Sequence, residues 1–257
     1  MKHKIEAVIL DWAGTAVDYG CFAPVQAFVE IFKGCGLNPT IEEIRKPMGM
    51  LKRDHIRTVL SMETIRLQFK ELYGRDFTEN DVDRMNRDFE KSLLAILHNY
   101  TTPKPHVLET VEALRKKKIK IGSTTGYTDE MMSIVTQGAK SRGYQPDIWF
   151  SPNSVGNMGR PYPYMIFKNM ETLKITCVQN VMKIGDTVSD ILEGKNAGAV
   201  TVGVLEGSSE IGLLESEYEQ LTDEEKNALK NRAAARYREA GADYVVDNLS
   251  GVLELIQ

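Results

Sequence analysis

The sequence predicts an α/β protein, a Rossmann-like parallel-sheet core interrupted early by a helical cap domain. Three observations point there. Short apolar runs that end in small or acidic residues recur along the chain, and from residue 119 onward helix-length segments separate them. Residues 21–100 break that rhythm with helical patterns alone. The two places where the chain would pass between the parts, near Tyr19-Gly20 and Thr101 to Pro105, are turn-like.

The strand candidates are Ala7–Leu10, Ile119–Ser123, Asp147–Phe150, Val181–Ile184, Ala199–Gly203 and Tyr244–Val246. Their alternation with helices implies a parallel sheet covered on both faces. Polar residues just past the strand C-termini then line the ligand crevice, and Asp11, Thr125 and Asp186 stand at such ends. In the insert the helical patterns are Pro24–Phe32, Ile41–Arg45, Lys52–Met62, Thr64–Tyr73 and Glu79–Leu97. The core is therefore expected over 1–20 and 101–257, the cap over 21–100. Glu206–Ala242 reads as charge-rich and helical, with a capping box at Thr222 to Glu225 and a stop at Gly241.

Composition narrows the function classes. The 257 residues include 32 Lys+Arg and 36 Asp+Glu, a formal net charge of -4, with 42% hydrophobic and 26% charged residues. These are globular proportions. Basic and acidic residues balance over 21–100, so the insert is no basic nucleic-acid-binding module, and the mild negative charge argues against anionic lipid as a partner. Cys21, Cys35 and Cys177 are too few and too scattered for a disulfide framework or a zinc site. The apolar run before Asp11 is far shorter than a membrane span, and no small-residue cleavage site follows it. A soluble protein of a reducing cytoplasm is expected.

Four elements carry chemistry. Asp11 closes the first strand, and Gly14 lets the chain turn sharply beside it. A carboxylate there can hold a hard divalent cation and attack phosphorus, and it can equally cap the next helix. Asp186 and Asp190, four apart in Gly185-Asp-Thr-Val-Ser-Asp190, would share one side of a first helical turn, where the helix dipole also favours them. Ser123-Thr-Thr-Gly-Tyr127 offers a hydroxyl and loop amides to an oxyanion. In Gly159-Arg-Pro-Tyr-Pro163, Pro161 would lock a helix start and leave Arg160 at its mouth as an anion clamp. Lys183, on a strand ahead of Asp186, reads as structural.

In order and placement these elements resemble the haloacid dehalogenase-like superfamily over residues 1–20 and about 101–257. The resemblance implies Asp11 as nucleophile, Thr125 and Arg160 as phosphoryl-group ligands, and Mg²⁺ held by Asp11, the Ala13 carbonyl and Asp186, with Asp190 in support. Phosphatases of that superfamily carry an aspartate two places after the nucleophile as general acid, and Ala13 cannot transfer a proton. A leaving group that needs no such proton, a carbon stabilised as an enamine, fits this departure.

Asp11-Trp-Ala-Gly-Thr15, Gly122-Ser-Thr-Thr-Gly-Tyr127 and Arg45-Lys-Pro-Met-Gly-Met-Leu-Lys-Arg-Asp-His55 resemble the phosphonoacetaldehyde hydrolase family within that superfamily, nearly end to end. The resemblance implies a Schiff base between Lys52 and the aldehyde of a small phosphonate, a homodimer, and a place in organic phosphonate breakdown. Schiff-base chemistry needs a neutral amine, hence burial or neighbouring cations, and Met48, Met50, Leu51, Arg53 and Arg57 offer both. His55, three residues on, is placed to relay protons, while a helix-surface histidine is the plainer reading. Cys21, Met48, Gly126 and Tyr127 are expected to border the substrate. A phosphate-monoester phosphatase or phosphomutase, or a non-catalytic phosphate-binding relative, would share the same core.

Overall fold

Apolar β-branched runs with helices on both sides build a parallel sheet. In the computed structural model, which describes residues 4–48 and 50–256, the strands are β1 (Ala7–Leu10), β2 (Lys120–Ser123), β3 (Val181–Gly185), β4 (Val200–Val204) and β5 (Tyr244–Val246). All pair in parallel in the order β2-β1-β3-β4-β5. Leu10 lies opposite Ser123 on one side and Ile184 on the other. The chain leaves β1 for one edge and returns beside β1 as β3, so the order reverses there and a crevice opens past the strand ends. Asp11, Thr124 and Asp186 follow directly on those ends.

Between β1 and β2 come α1 (Phe22–Gly34), α2 (Ile41–Arg45), α3 (Lys52–Ser61), α4 (Glu63–Tyr73), α5 (Glu79–Ile96) and α6 (Val107–Lys116). Local chemistry sets their ends. Thr40 and Glu43 make a capping box for α2, Thr78 and Asp81 one for α5, and Gly74 ends α4 in the left-handed region. Asp18 caps α1, accepting the N–H groups of Phe22 and Ala23 at 3.0 Å each. Apolar faces of α1, α3 and α5 meet around Phe28, Val59 and Phe89, with Phe28 stacked on Phe89 at 4.2 Å. That cluster is continuous with Val8, Leu10 and Trp12 of the sheet side, so the helical insert is seated on the core. The two crossings run side by side: the Asp18 N–H donates to Thr102 (3.3 Å) and the Lys104 N–H to Ala16 (3.0 Å).

The remaining helices are α7 (Asp129–Ser141), α8 (Tyr164–Leu173), α9 (Val188–Ala197), α10 (Glu215–Glu219), α11 (Asp223–Glu239) and α12 (Val252–Leu255). Two expectations are corrected. Asp147–Phe150 is not a strand. It runs along β2 with backbone bonds only from Asp147 to Ile121 (2.7 Å) and Phe150 to Ser123 (3.0 Å), because the Asp147 carboxylate takes the Ile121 N–H that a ladder partner would need. Glu206–Ala242 is not helical throughout. Residues 205–214 form a turn-rich loop whose buried Ser208 and Ser209 pack inward, and helix resumes only at α10 and at α11, where the Thr222–Glu225 box is present. Among the described residues no helix is long and apolar enough to cross a membrane.

Candidate active site

Three strand ends bring three carboxylates together. Asp11 stays in sheet register through its N–H to the Ile184 carbonyl (3.0 Å). The chain then turns at Gly14, whose φ of +85 suits glycine and where an added Cβ would collide with the Asp186 carboxylate. Thr15 Oγ1 donates to Asp186 Oδ1 (2.9 Å) and the Ser209 N–H to Asp186 Oδ2 (2.7 Å). Asp11, Asp186 and Asp190 each place an oxygen within 4.8 Å of the others, all buried. Burial first, then the charges of Asp11 and Asp190, push the Asp186 carboxyl well above its usual range. Crowded buried oxygen donors of this kind fit a hard divalent cation.

Asp186 and Asp190 do not meet as neighbours on one helical turn. The helix begins at Val188, leaving Asp186 on the end of β3, and Thr187 caps it by accepting the Asp190 N–H at 3.3 Å. The acidic pair is thus folded together across the strand–helix turn. Asp190 also receives Lys183 Nζ at 2.7 Å, and Arg160 and Lys183 outweigh burial, which would raise it, to hold its carboxyl below the usual range. Lys183, expected to be structural, is fully buried beneath the site.

Arg160 is not at a helix mouth. Here α8 starts at Tyr164, so Pro161 precedes the helix, and Arg160 turns into the protein interior. Carboxylates draw it there. Its Nη2 donates to Asp11 Oδ1 (2.6 Å) and the Thr124 carbonyl (2.9 Å), Nη1 pairs with Asp190 (3.1 Å), and Nε donates to Glu193 Oε2 (3.1 Å).

Opposite this charged floor lies the helical insert. One cleft is lined by Asp11, Ala13, Cys21, Pro24, Met48, Lys52, Thr125, Gly126, Tyr127, Arg160 and Thr187. Lys52, the first residue of α3, holds its Nζ 5.4 Å from the Tyr127 ring centroid and 6.0 Å from that of Phe28. Burial of the amine lowers its pKa, with Cys21 and Asp11 opposing and Arg160 adding to the effect. Cys21 is buried with φ 56, its N–H on the Asp18 carbonyl at 2.9 Å, and burial pushes its thiol well up. Thr125 Oγ1 accepts the Tyr127 N–H at 3.0 Å, tying those residues into one turn.

The structure does not bring His55 into this cleft. Its ring is buried, stacked on Phe28 at 3.9 Å, and burial followed by the Lys52 charge pushes its pKa well down. Gly49, within the cap motif, lies outside the described residues. Sequence reasoning passed over Pro24, Thr124, Thr187, Glu193 and Lys104. Thr124 and Thr187 lie inside the recognised motifs Ser123–Tyr127 and Gly185–Asp190 and were within reach. Glu193 looks like any helix glutamate and Lys104 like any loop lysine. Yet Lys104 is buried, donates to the carbonyls of Gly14 and of Glu206 (the latter at 2.6 Å), and has its pKa pulled down to about 8, chiefly by burial.

Comparison with known proteins bears on the family and the fold. A family model for haloacid dehalogenase-like hydrolases matches residues 5–198, and a HAD-hydrolase-like model matches 157–252. The chain is 51% identical over 253 residues, 98% of its length and 94% of the relative's, to a phosphonoacetaldehyde hydrolase of Lysinibacillus sphaericus (strain C3-41). It is 48% identical over 254 residues to a bifunctional phosphonoacetaldehyde hydrolase/aminoethylphosphonate transaminase of Clostridioides difficile (strain 630), spanning 99% of this chain and 40% of that longer protein. A crystal structure of a phosphonoacetaldehyde hydrolase-like protein from Oleispira antarctica superposes with a TM-score of 0.96 at 35% identity, covering 99% of this chain and 92% of the other. By sequence, fold and strand-end chemistry together, the chain belongs to the phosphonoacetaldehyde hydrolase family of the haloacid dehalogenase-like hydrolases.

Proposed function

We propose that the protein hydrolyses the carbon–phosphorus bond of phosphonoacetaldehyde, yielding acetaldehyde and phosphate. One observation carries the reading: Asp11 from the core and Lys52 from the cap line the same cleft, and Ala13 stands where a general acid would be needed for an ester. The neutral Lys52 amine condenses with the aldehyde, forming a C=N bond and releasing water. The Asp11 carboxylate attacks phosphorus, the P–C bond breaks, and its electron pair passes into the protonated imine to give an enamine. Water then hydrolyses the phospho-Asp11 acyl phosphate, giving phosphate and regenerating the Asp11 carboxylate. The enamine takes up a proton at carbon, and hydrolysis of the resulting imine frees acetaldehyde and Lys52.

Arg160 and the Thr125–Tyr127 turn meet the phosphonate oxygens as charge shifts in the transition state. The buried oxygens of Asp11, Asp186 and Asp190 suit a hard divalent cation; by the family resemblance this would be Mg²⁺, held by Asp11, Asp186 and the Ala13 carbonyl with Asp190 in support, and its charge would further offset those oxygens. A homodimer in the cytoplasm acting on a small phosphonate completes the reading. The dimer rests on the family resemblance, and the compartment accords with three free cysteines.

The test is chemical. Incubation with phosphonoacetaldehyde and borohydride, followed by peptide mass mapping, is expected to place the reduced adduct on Lys52. Full phosphate release with Lys52 unmodified would overturn the mechanism.

A further inference from the structure

Glu193 is the fourth member of a charge cluster under the cleft. Its side chain and those of Asp190 and Lys183 are wholly buried, and that of Arg160 is 3% exposed. The two cations and two anions balance, which leaves Asp11 and Asp186 as the carboxylates whose charge a divalent cation answers. Glu193 Oε2 accepts hydrogen bonds from Arg160 Nε at 3.1 Å and Thr124 Oγ1 at 2.9 Å, and forms an ion pair with Lys183 Nζ at 3.4 Å. Thr124 is also contacted by Arg160 Nη2, at its carbonyl and its hydroxyl. One carboxylate oxygen therefore ties the end of β2, the centre of β3 and the Arg160 loop together.

From this geometry we infer that Glu193 is a positioning residue for phosphoryl transfer, anchoring Arg160 so that a single edge of the guanidinium faces the nucleophile. A guanidinium has a rigid fork and tends to close bidentately on a carboxylate. Held at Nε by Glu193 and at Nη1 by Asp190, Arg160 meets Asp11 through Nη2 alone. Without the charge of Glu193 that balance shifts towards Asp11, and the clamp rotates onto the group that must attack phosphorus. Glu193 Oε1 is buried and has no partner. A glutamine could keep its carbonyl where Oε2 stands, so Glu193→Gln removes the charge while retaining an acceptor for Arg160 Nε and Thr124 Oγ1.

This inference rests on the proposed reaction, and the experiment separates the two. Parent, Glu193→Gln, Arg160→Lys and the double variant are compared by borohydride trapping at Lys52, by single-turnover phosphate release, and by calorimetric affinity for inorganic phosphate. Loss of a partner that orients a liganding group typically costs about 10–100-fold, and Glu193→Gln is expected to slow phosphate release by that amount while leaving trapping unchanged. In the Arg160→Lys background, where no Nε remains to be anchored, the same change should have little further effect. Equal penalties in the two backgrounds, or parent-like release by Glu193→Gln, would overturn the inference. Absence of trapping in the parent would instead count against the proposed reaction, and phosphate affinity then decides the role of Glu193 by the same comparison. If Glu193→Gln does not fold, Thr124→Val, which removes one of the two hydrogen-bond donors, replaces it in the same cycle with the same expectations.

Discussion

The Schiff-base role proposed for Lys52 depends on where its amine sits rather than on its place in the sequence. Burial favours the neutral form, so its pKa lies below the usual 10.5, and the fraction able to attack an aldehyde rises with pH up to that lowered value. The borohydride trapping rate should therefore climb with pH and level off earlier than for a free lysine. A midpoint at or above 10.5 would contradict the burial seen here. Lys52→Ala should give no adduct and lose phosphonate cleavage by several orders of magnitude, as expected when a covalent catalyst is removed. Ala13 argues the complementary point. With an enamine leaving group there is no alkoxide to protonate, so Ala13→Asp should not accelerate phosphonate cleavage, and a large gain in phosphate release would refute the proposed leaving group.

Among the elements, the loop after β1 and the turn into α9 set the acidic site. At Gly14 a φ of +85 and contact with the Asp186 carboxylate both demand a residue without Cβ. Gly14→Ala should cost about 1 kcal/mol in backbone strain and, by displacing Asp186, weaken Mg²⁺ binding in a calorimetric titration. Unchanged affinity would mean that the loop can give way. The strand ends were legible because each apolar run stops at a polar residue, and the insert was legible because helical periodicity replaced alternation. Asp147–Phe150 misled for a stated reason, since its own side chain intercepts the Ile121 N–H. Arg160 was recognised, but its direction was not. Pro161 suggested a helix start, whereas three carboxylates from β1 and α9 draw the guanidinium inward. No local pattern announces a contact between positions 160 and 193.

Across the whole molecule, the two crossings between core and insert lie side by side, and buried ionisable groups gather on them. Asp18 caps α1 from the first crossing, yet burial pushes its carboxyl from 3.8 up to about 7, against the opposing pull of Ala23, Phe22, Arg45 and Lys104. The folded state therefore holds this proton where the unfolded chain has lost it. Its stabilising contribution is complete below 3.8 and vanishes as the pH rises through about 7. In Asp18→Asn that slope, at most about 1.4 kcal/mol per pH unit, should be missing from urea unfolding measured across the window, even though one of the two cap hydrogen bonds is lost. An unchanged slope would show that Asp18 is ionised in the fold. At this scale the division is clear. The sequence by itself determined the sheet, the inserted helices and the order of the strand-end motifs, because periodicity and short motifs are local. Only the tertiary structure decided that Lys52 and Asp11 line one cleft, that His55 stays outside it, that Glu193 belongs to the charge balance, and that Lys104 is buried against the Gly14 and Glu206 carbonyls. Those relations depend on burial and on contacts between residues distant along the chain, where the low dielectric makes each unpaired charge costly enough to choose its partner.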